Sequence, residues 1–361
     1  MAKLDSEMQF LKQLTEINGI SGHEGQVRIF LKKQFSEIVG PNDLSYDGLG
    51  SIIAKKTGLA NGPKIMISGH MDEIGMIVTK ITDEGFLRFQ TIGGWWSQVM
   101  LAEQFTVTTS KGQVFHAVMG SKPPHLLSAD ELKIPANIEE MYLDLGVKDK
   151  AEAEKLGIEI GNMIAPYIEF KELANPKYLL GKAWDNRIGC AIVVEVLKRL
   201  KNEPHPNIVF GVGSVQEEIG LRGAKTSAQM INPDICLALD VGIAKDTPGT
   251  DMSVKLGDGP GILVYDSALI GHLGLREFVV QVAKEEKIPY QLDFLKHGGT
   301  DAGTASLTNN GVPSMSFCLP TRYIHSHTSI LHRDDYENSI KLIVAVIRKM
   351  NREAVNKITF D

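Results

Sequence analysis

The sequence predicts an α/β protein: a mostly parallel, mixed sheet flanked by helices, with a small mainly-β domain inserted. Three observations carry this. Apolar runs at 64–68 (KIMIS), 207–213 (NIVFGVG), 235–239 (ICLAL) and 314–318 (SMSFC) are short and bounded by Gly, Pro or Asp. Strands buried on both faces have that character. Helical patterns over Ile188 to Leu200, Leu275 to Glu286 and Asp335 to Met350 alternate with them, the order that builds a parallel sheet covered on both sides. Between about Gly75 and Lys171 the pattern changes. There TDEG (82–85) and SKG (110–112) each separate short alternating segments, the mark of hairpins. One helix is expected in this region, capped by Asp149 and stopped at Gly157. Residues 1–75 and 172–361 are therefore read as one discontinuous α/β domain and 76–171 as the insertion.

Bulk properties narrow the function. The 361 residues carry 38 basic and 44 acidic side chains, a net charge of −6, with 43% hydrophobic and 23% charged residues. That is a folded globular composition without a basic block, which argues against nucleic acid or an anionic membrane as partner. Cys190, Cys236 and Cys318 are far apart among apolar neighbours, as expected of reduced core thiols in a cytoplasmic protein. The first residues read as an amphipathic helix rather than a signal peptide, and no apolar stretch reaches membrane-spanning length.

The polar residues converge by position. His70, Glu217, Glu218, Asp240 and His325 follow the C-terminal ends of expected strands, and Asp185 in KAWDNRIGC precedes a helix. Ligands of open α/β sheets bind outside those strand ends. Two imidazoles and several carboxylates on one rim suit a divalent metal such as zinc, cobalt or manganese. More candidates than the roughly three ligands of a single catalytic zinc suggest two ions.

Taken singly, each residue has a plainer reading. His70 could be a polar loop residue and Asp72 an Asx turn or an orienting group. Asp185 or Asn186 could cap the following helix, and Asp240 could be a turn residue. His325, His327 and His332 are too close together for all to be ligands, and His332 reads as a surface residue at a helix start. GVGSVQ begins like a dinucleotide fingerprint but has Gln216 in place of the third glycine and an acidic pair beside it. GGTDAG (298–303) is either a turn into a helix or a substrate-lining segment formed by Gly298, Gly299, Thr300 and Asp301.

Together, GHMDEIG, PPHLL (123–127), KAWDNRIGC, VQEEIGLRGAK, LALDVG, GGTDAG and RYIHSH resemble the tetrahedral metallo-aminopeptidases, which include bacterial glutamyl and deblocking aminopeptidases. The resemblance implies two divalent ions per subunit, zinc or cobalt foremost and manganese next. His70 and Asp240 would hold one, Glu218 and His325 the other, and Asp185 would bridge them. It implies attack on peptide substrates by a metal-bridging hydroxide, with Glu217 as general base and then acid and Asp72 in support. It further implies a cis Asp185–Asn186 peptide, and dimerisation through the insertion to build a tetrahedral dodecamer. An N-acyl-amino-acid deacylase or carboxypeptidase of the related co-catalytic zinc clan is the alternative. An endoglucanase is a remote one, because it leaves His70 and His325 without a role.

Overall fold

The computed structural model describes residues 4–251 and 253–360. Among these, nine strands form the main sheet and six more close into an antiparallel barrel. The centre of the sheet is parallel, in the order Ile208–Ser214, Lys64–His70, Ile235–Ile243, Ser314–Thr321. Ile52–Thr57 and Gly261–Asp266 flank it antiparallel. The four central strands are almost wholly buried, which is why they read as apolar runs rather than as alternating patterns. Helices Trp184–Arg199, Leu273–Glu285 and Arg333–Lys349 supply the cover, and their apolar faces share one core with the sheet.

Register sets the rim. Ser214 pairs with His70, and Ala238 with Ser68, so His70 and Asp240 stand two residues beyond one paired row. Both therefore project to the same face. Asp240 lies inside its strand, which runs on to Ile243, and not in a turn after it. The strand lengthens because Val241, Gly242 and Ile243 go on pairing with the neighbouring strand. Similarly, helix Trp184–Arg199 begins before Ile188 and carries Asp185 and Asn186 as a non-helical step inside its first turn. The Asp185–Asn186 peptide is cis, and neither residue is the cap, which is Ala183.

This helix lies against the sheet at Gly69. A Cβ there would sit 2.5 Å from the Gly189 carbonyl carbon and 2.6 Å from the Cys190 nitrogen. Only a residue without a side chain allows that approach, and the approach brings Asp185 beside His70. A small sheet that the residue pattern did not reveal completes the arrangement. Tyr178–Gly181 pairs with Ser329–His332, tying the segment before Asp185 to the segment after His325.

The barrel runs Gly75–Ile81, Leu87–Ile92, Tyr142–Asp144, Val114–Gly120, Gln104–Thr108, Met163–Pro166 and back to the first strand. TDEG and SKG are its hairpin turns, with Gly85 and Gly112 at positive φ. Asp149 accepts the Glu152 N–H and caps Lys150–Lys155. Its interior is a separate core that includes Met76, Val78, Leu87, Phe105, Val107, Leu143 and Ile164. No described helix is long and apolar enough to cross a membrane.

Candidate metal centre

The six rim residues meet in one place. His70 Nε2 lies 3.2 Å from Asp185 Oδ1, 3.6 Å from Glu217 Oε2 and 3.9 Å from Asp240 Oδ1. His325 Nε2 lies 3.4 Å from Asp185 Oδ2 and 3.5 Å from Glu218 Oε2. Asp185 thus turns one oxygen to each imidazole. Groups able to hold a cation form from His70, Asp185 and Asp240, from Asp185, Glu218 and His325, and from His70, Glu217 and Glu218.

Backbone carbonyls orient both rings. His70 Nδ1 is 2.9 Å from the Asp72 carbonyl and His325 Nδ1 is 3.0 Å from the Gly94 carbonyl. A carbonyl only accepts, so each neutral ring carries its proton on Nδ1 and turns the Nε2 lone pair to the centre. Gly94 belongs to the loop that leaves the barrel strand Leu87–Ile92, so the inserted domain reaches the centre directly.

Asp72 holds the loop opposite. Its buried carboxylate accepts the N–H groups of Glu217 and Glu218, each at 3.1 Å, and the Ser21 hydroxyl at 2.5 Å. The two glutamates lie past the strand end, after Gln216 at φ +56°. Alternation along extended backbone, which turns neighbouring side chains to opposite sides, therefore does not apply to this pair. The left-handed Gln216 turns the pair toward the centre, and the Asp72 carboxylate fixes both of its N–H groups.

Electrostatically the centre is crowded. Burial raises the Glu217 pKa well above the usual carboxylate range, the charges of Asp240 and Glu218 adding to it and His70 opposing. Burial, with Asp185 adding, raises Glu218 to about 8, and burial likewise raises Asp240. Burial would raise Asp185 too, but hydrogen bonds and charge from His325 and His70 hold it low. Burial would depress His325, but Asp185 and Glu218 outweigh it and raise the ring to about 10. Carboxylates this close share too little positive charge. The Glu218 Oε1 atom is buried with no hydrogen-bond partner among the described residues, as expected of an oxygen directed at a cation. The donor set of imidazole and carboxylate fits divalent zinc, cobalt or manganese.

The other candidates sit elsewhere. Thr300 bonds Asp266 and Ser316, and Asp301 accepts from the Ser68 and Ser214 hydroxyls at 2.5 and 2.6 Å. Both are buried within the protein, so they do not line a substrate surface as expected. They face inward because the segment turns into helix Asp301–Ala305, which packs beside the sheet. Gly298 and Gly299 remain accessible. His327 is turned to the Tyr167 carbonyl at 2.7 Å. His332 does cap a helix, but it is buried rather than on the surface, against Tyr178.

Several supporting residues had no readable signal. Buried Arg187 donates to the Met71, Leu14, Ile17 and Gly19 carbonyls, and buried Lys182 bonds Glu73 at 2.7 and 2.9 Å. They fasten the loop after His70 to the residues on either side of Asp185. Their partners are distant in sequence, so no local pattern marks them. A groove of about 770 Å³ opens beside His325, with Trp95, Trp96, Tyr323 and Ile324 among its walls.

A helix-flanked sheet with an imidazole–carboxylate cluster at its C-terminal rim has the arrangement of an α/β enzyme. A family model described as M42 glutamyl aminopeptidase matches residues 50–342. The chain is 41% identical to the putative aminopeptidase FrvX of Escherichia coli, over 97% of each chain. Its fold matches a TET aminopeptidase from a marine-sediment Thaumarchaeota archaeon with TM-score 0.95 and 40% identity, covering 98% of this chain and 99% of that one. It also matches the Pyrococcus horikoshii TET1 peptidase, described as assembling into a tetrahedron or a large octahedral shell. There the TM-score is 0.86 and the identity 32%, over 95% of this chain and 100% of that one. The chain belongs to the M42 aminopeptidase family.

Proposed function

We propose that this aminopeptidase removes the N-terminal residue from peptides at a dinuclear centre, with Glu217 as the proton carrier. One observation carries the reading. Asp185 presents Oδ1 to His70 and Oδ2 to His325, dividing the ligands into His70–Asp185–Asp240 and Asp185–Glu218–His325. Glu217 is then left uncommitted at the edge of the first group. When bound, two divalent ions supply Lewis-acid polarisation of the scissile carbonyl and water acidic enough to attack at neutral pH.

The chain's own residues do the rest. Glu217 Oε2 takes the proton of the attacking water and delivers it to the departing amine nitrogen. Asp72 fixes the Glu217 and Glu218 backbone N–H groups, so that one side chain serves the proton and the other a metal. His70 and His325 are held in the required tautomer by the Asp72 and Gly94 carbonyls. Three ligand carboxylates against two divalent ions leave one positive charge, which the deprotonated nucleophile neutralises.

Zinc or cobalt suits this donor set first and manganese next. Free buried thiols at Cys190, Cys236 and Cys318 support a cytoplasmic setting. The barrel domain, residues 76–171, exposes Leu126, Leu132 and Ile134. These support self-association through dimers toward a tetrahedral dodecamer.

Two results test this reading. On a panel of aminoacyl-p-nitroanilides, each assayed with zinc, cobalt and manganese, free amino groups are expected to be required. Equal release of p-nitroaniline from the N-acetylated controls overturns the aminopeptidase reading, because the free amino group is then not required. In Gly94→Ala, the new methyl lies 2.9 Å from His325 Nδ1 and must displace the ring. Metal affinity at the His325 group is expected to fall about 10–100-fold, with the His70 group little changed. Calorimetric metal titration should then show one strong and one weakened site, and two unchanged sites would disprove it.

A further inference from the structure

The base Glu217 is held in place by a residue near the N-terminus. We infer that Glu24 is a positioning residue for catalysis, gripping the backbone immediately before Glu217. The inference rests on the reading of Glu217 as the proton carrier.

Glu24 Oε1 accepts the Gln216 N–H at 3.1 Å across 192 residues of sequence, and the Gly22 N–H at 2.7 Å. With the two bonds to Asp72, three consecutive N–H groups, from Gln216 to Glu218, end on two buried carboxylates. The carbonyls of the same loop are engaged as well. Gln216 accepts from Arg222, and Glu217 accepts from Gly220 and Leu221.

The plainer role for Glu24 is to cap the helix Gly25–Val39, at whose N-cap it stands. Its side chain makes no capping bond there, and the helix has no use for it. The carboxylate is instead spent on the loop, although the residue is only 4% exposed. Burying such a group is unfavourable unless it is well bonded.

Gln216 explains the need. It is a non-glycine residue at φ +56°, a conformation that persists only where the surroundings over-determine it. Its left-handed turn redirects the chain from the strand Ile208–Ser214 toward the centre. Without the Glu24 acceptor the Gln216 N–H loses its partner, the turn is held only by the Arg222 bond and the Asp72 clamp, and Glu217 is placed less firmly. A shift of about 1 Å in a reacting group costs on the order of 100-fold in rate. Ser21 bonds Asp72 from the same N-terminal turn, so the first helices and the proton carrier form one connected unit.

The test compares Glu24→Gln, Glu24→Asp and Glu24→Ala with Glu217→Gln, measuring kcat, KM and bound metal in each. Gln keeps an acceptor oxygen at the same reach and is expected to hold kcat within about twofold. Asp is one methylene short and Ala has no acceptor. Both are expected to lose about 10–100-fold in kcat with KM and metal content near wild type. Wild-type kcat in Glu24→Asp and Glu24→Ala overturns the inference, as does an equal loss in Glu24→Gln or a loss that tracks missing metal. Should the Ala variant not fold, the Gln and Asp pair decides. A fully active Glu217→Gln overturns the reading of Glu217 instead, and so separates the two failures.

Discussion

Glu217→Gln is expected to bind a full complement of metal and lose about 100- to 10,000-fold in kcat, the usual contribution of a positioned general acid–base. Gln keeps the size and the backbone bonds of Glu217, including the N–H held by Asp72, so the structure has no reason to change. It cannot take up a proton. Glu218→Gln is expected to fail differently. Glu218 Oε2 faces His325 at 3.5 Å and its Oε1 has no partner among the described residues. An amide there is a poor ligand, so metal is lost together with activity. Metal analysis beside steady-state kinetics checks both. If the two variants lose metal alike, Glu217 is a ligand in the group it forms with His70 and Glu218, and another group moves the proton.

Stripping the metal is expected to destabilise the fold, and more so as pH rises. In the metal-free protein, Glu218 at about 8 and His325 at about 10 both bind protons more tightly than in the unfolded chain. Glu217, Asp240 and His70 are raised as well. From about pH 4.5 to 10 the native state therefore holds more protons than the unfolded state, and stability falls as pH rises. Below the ordinary carboxylate range the sign reverses, because Asp72 and Asp185 have depressed pKa values and their contribution is lost on acidification. Bound cations replace the protons. Metal at about 100-fold over its Kd adds roughly 2.7 kcal/mol per site, worth several degrees in a protein of this size. Melting curves of EDTA-treated and metal-loaded protein should diverge from pH 6 to 9. Parallel curves across that range contradict the pH dependence, and coincident curves contradict a metal centre that stabilises the fold.

Much of the centre was legible in the sequence because α/β sheets put function at strand ends. His70 stands at such an end, and Glu217 and Glu218 just past one, each closing a conspicuous apolar run. Asp240 was legible as a candidate but misplaced, since the strand goes on beyond it. The acidic pair was legible as two carboxylates at the rim, yet the local geometry was not. Alternation along a strand needs extended backbone, and Gln216 leaves it. Thr300 and Asp301 were read as lining a pocket because a Gly-Gly turn resembles one, whereas the following helix turns both side chains into the core.

The class of fold, the antiparallel insertion and the residue types at the rim could be read from the chain before it was folded. These follow from hydrophobic periodicity and turn chemistry, which act between near neighbours. How those residues are held depends on contacts made across the whole fold. The Gly94 carbonyl meets His325 across 231 residues, Lys182 meets Glu73 across 109, and Glu24 meets Gln216 across 192. Such contacts leave no local periodicity, because each half satisfies its hydrogen bonds only after the sheet, the first helices and the barrel have packed together.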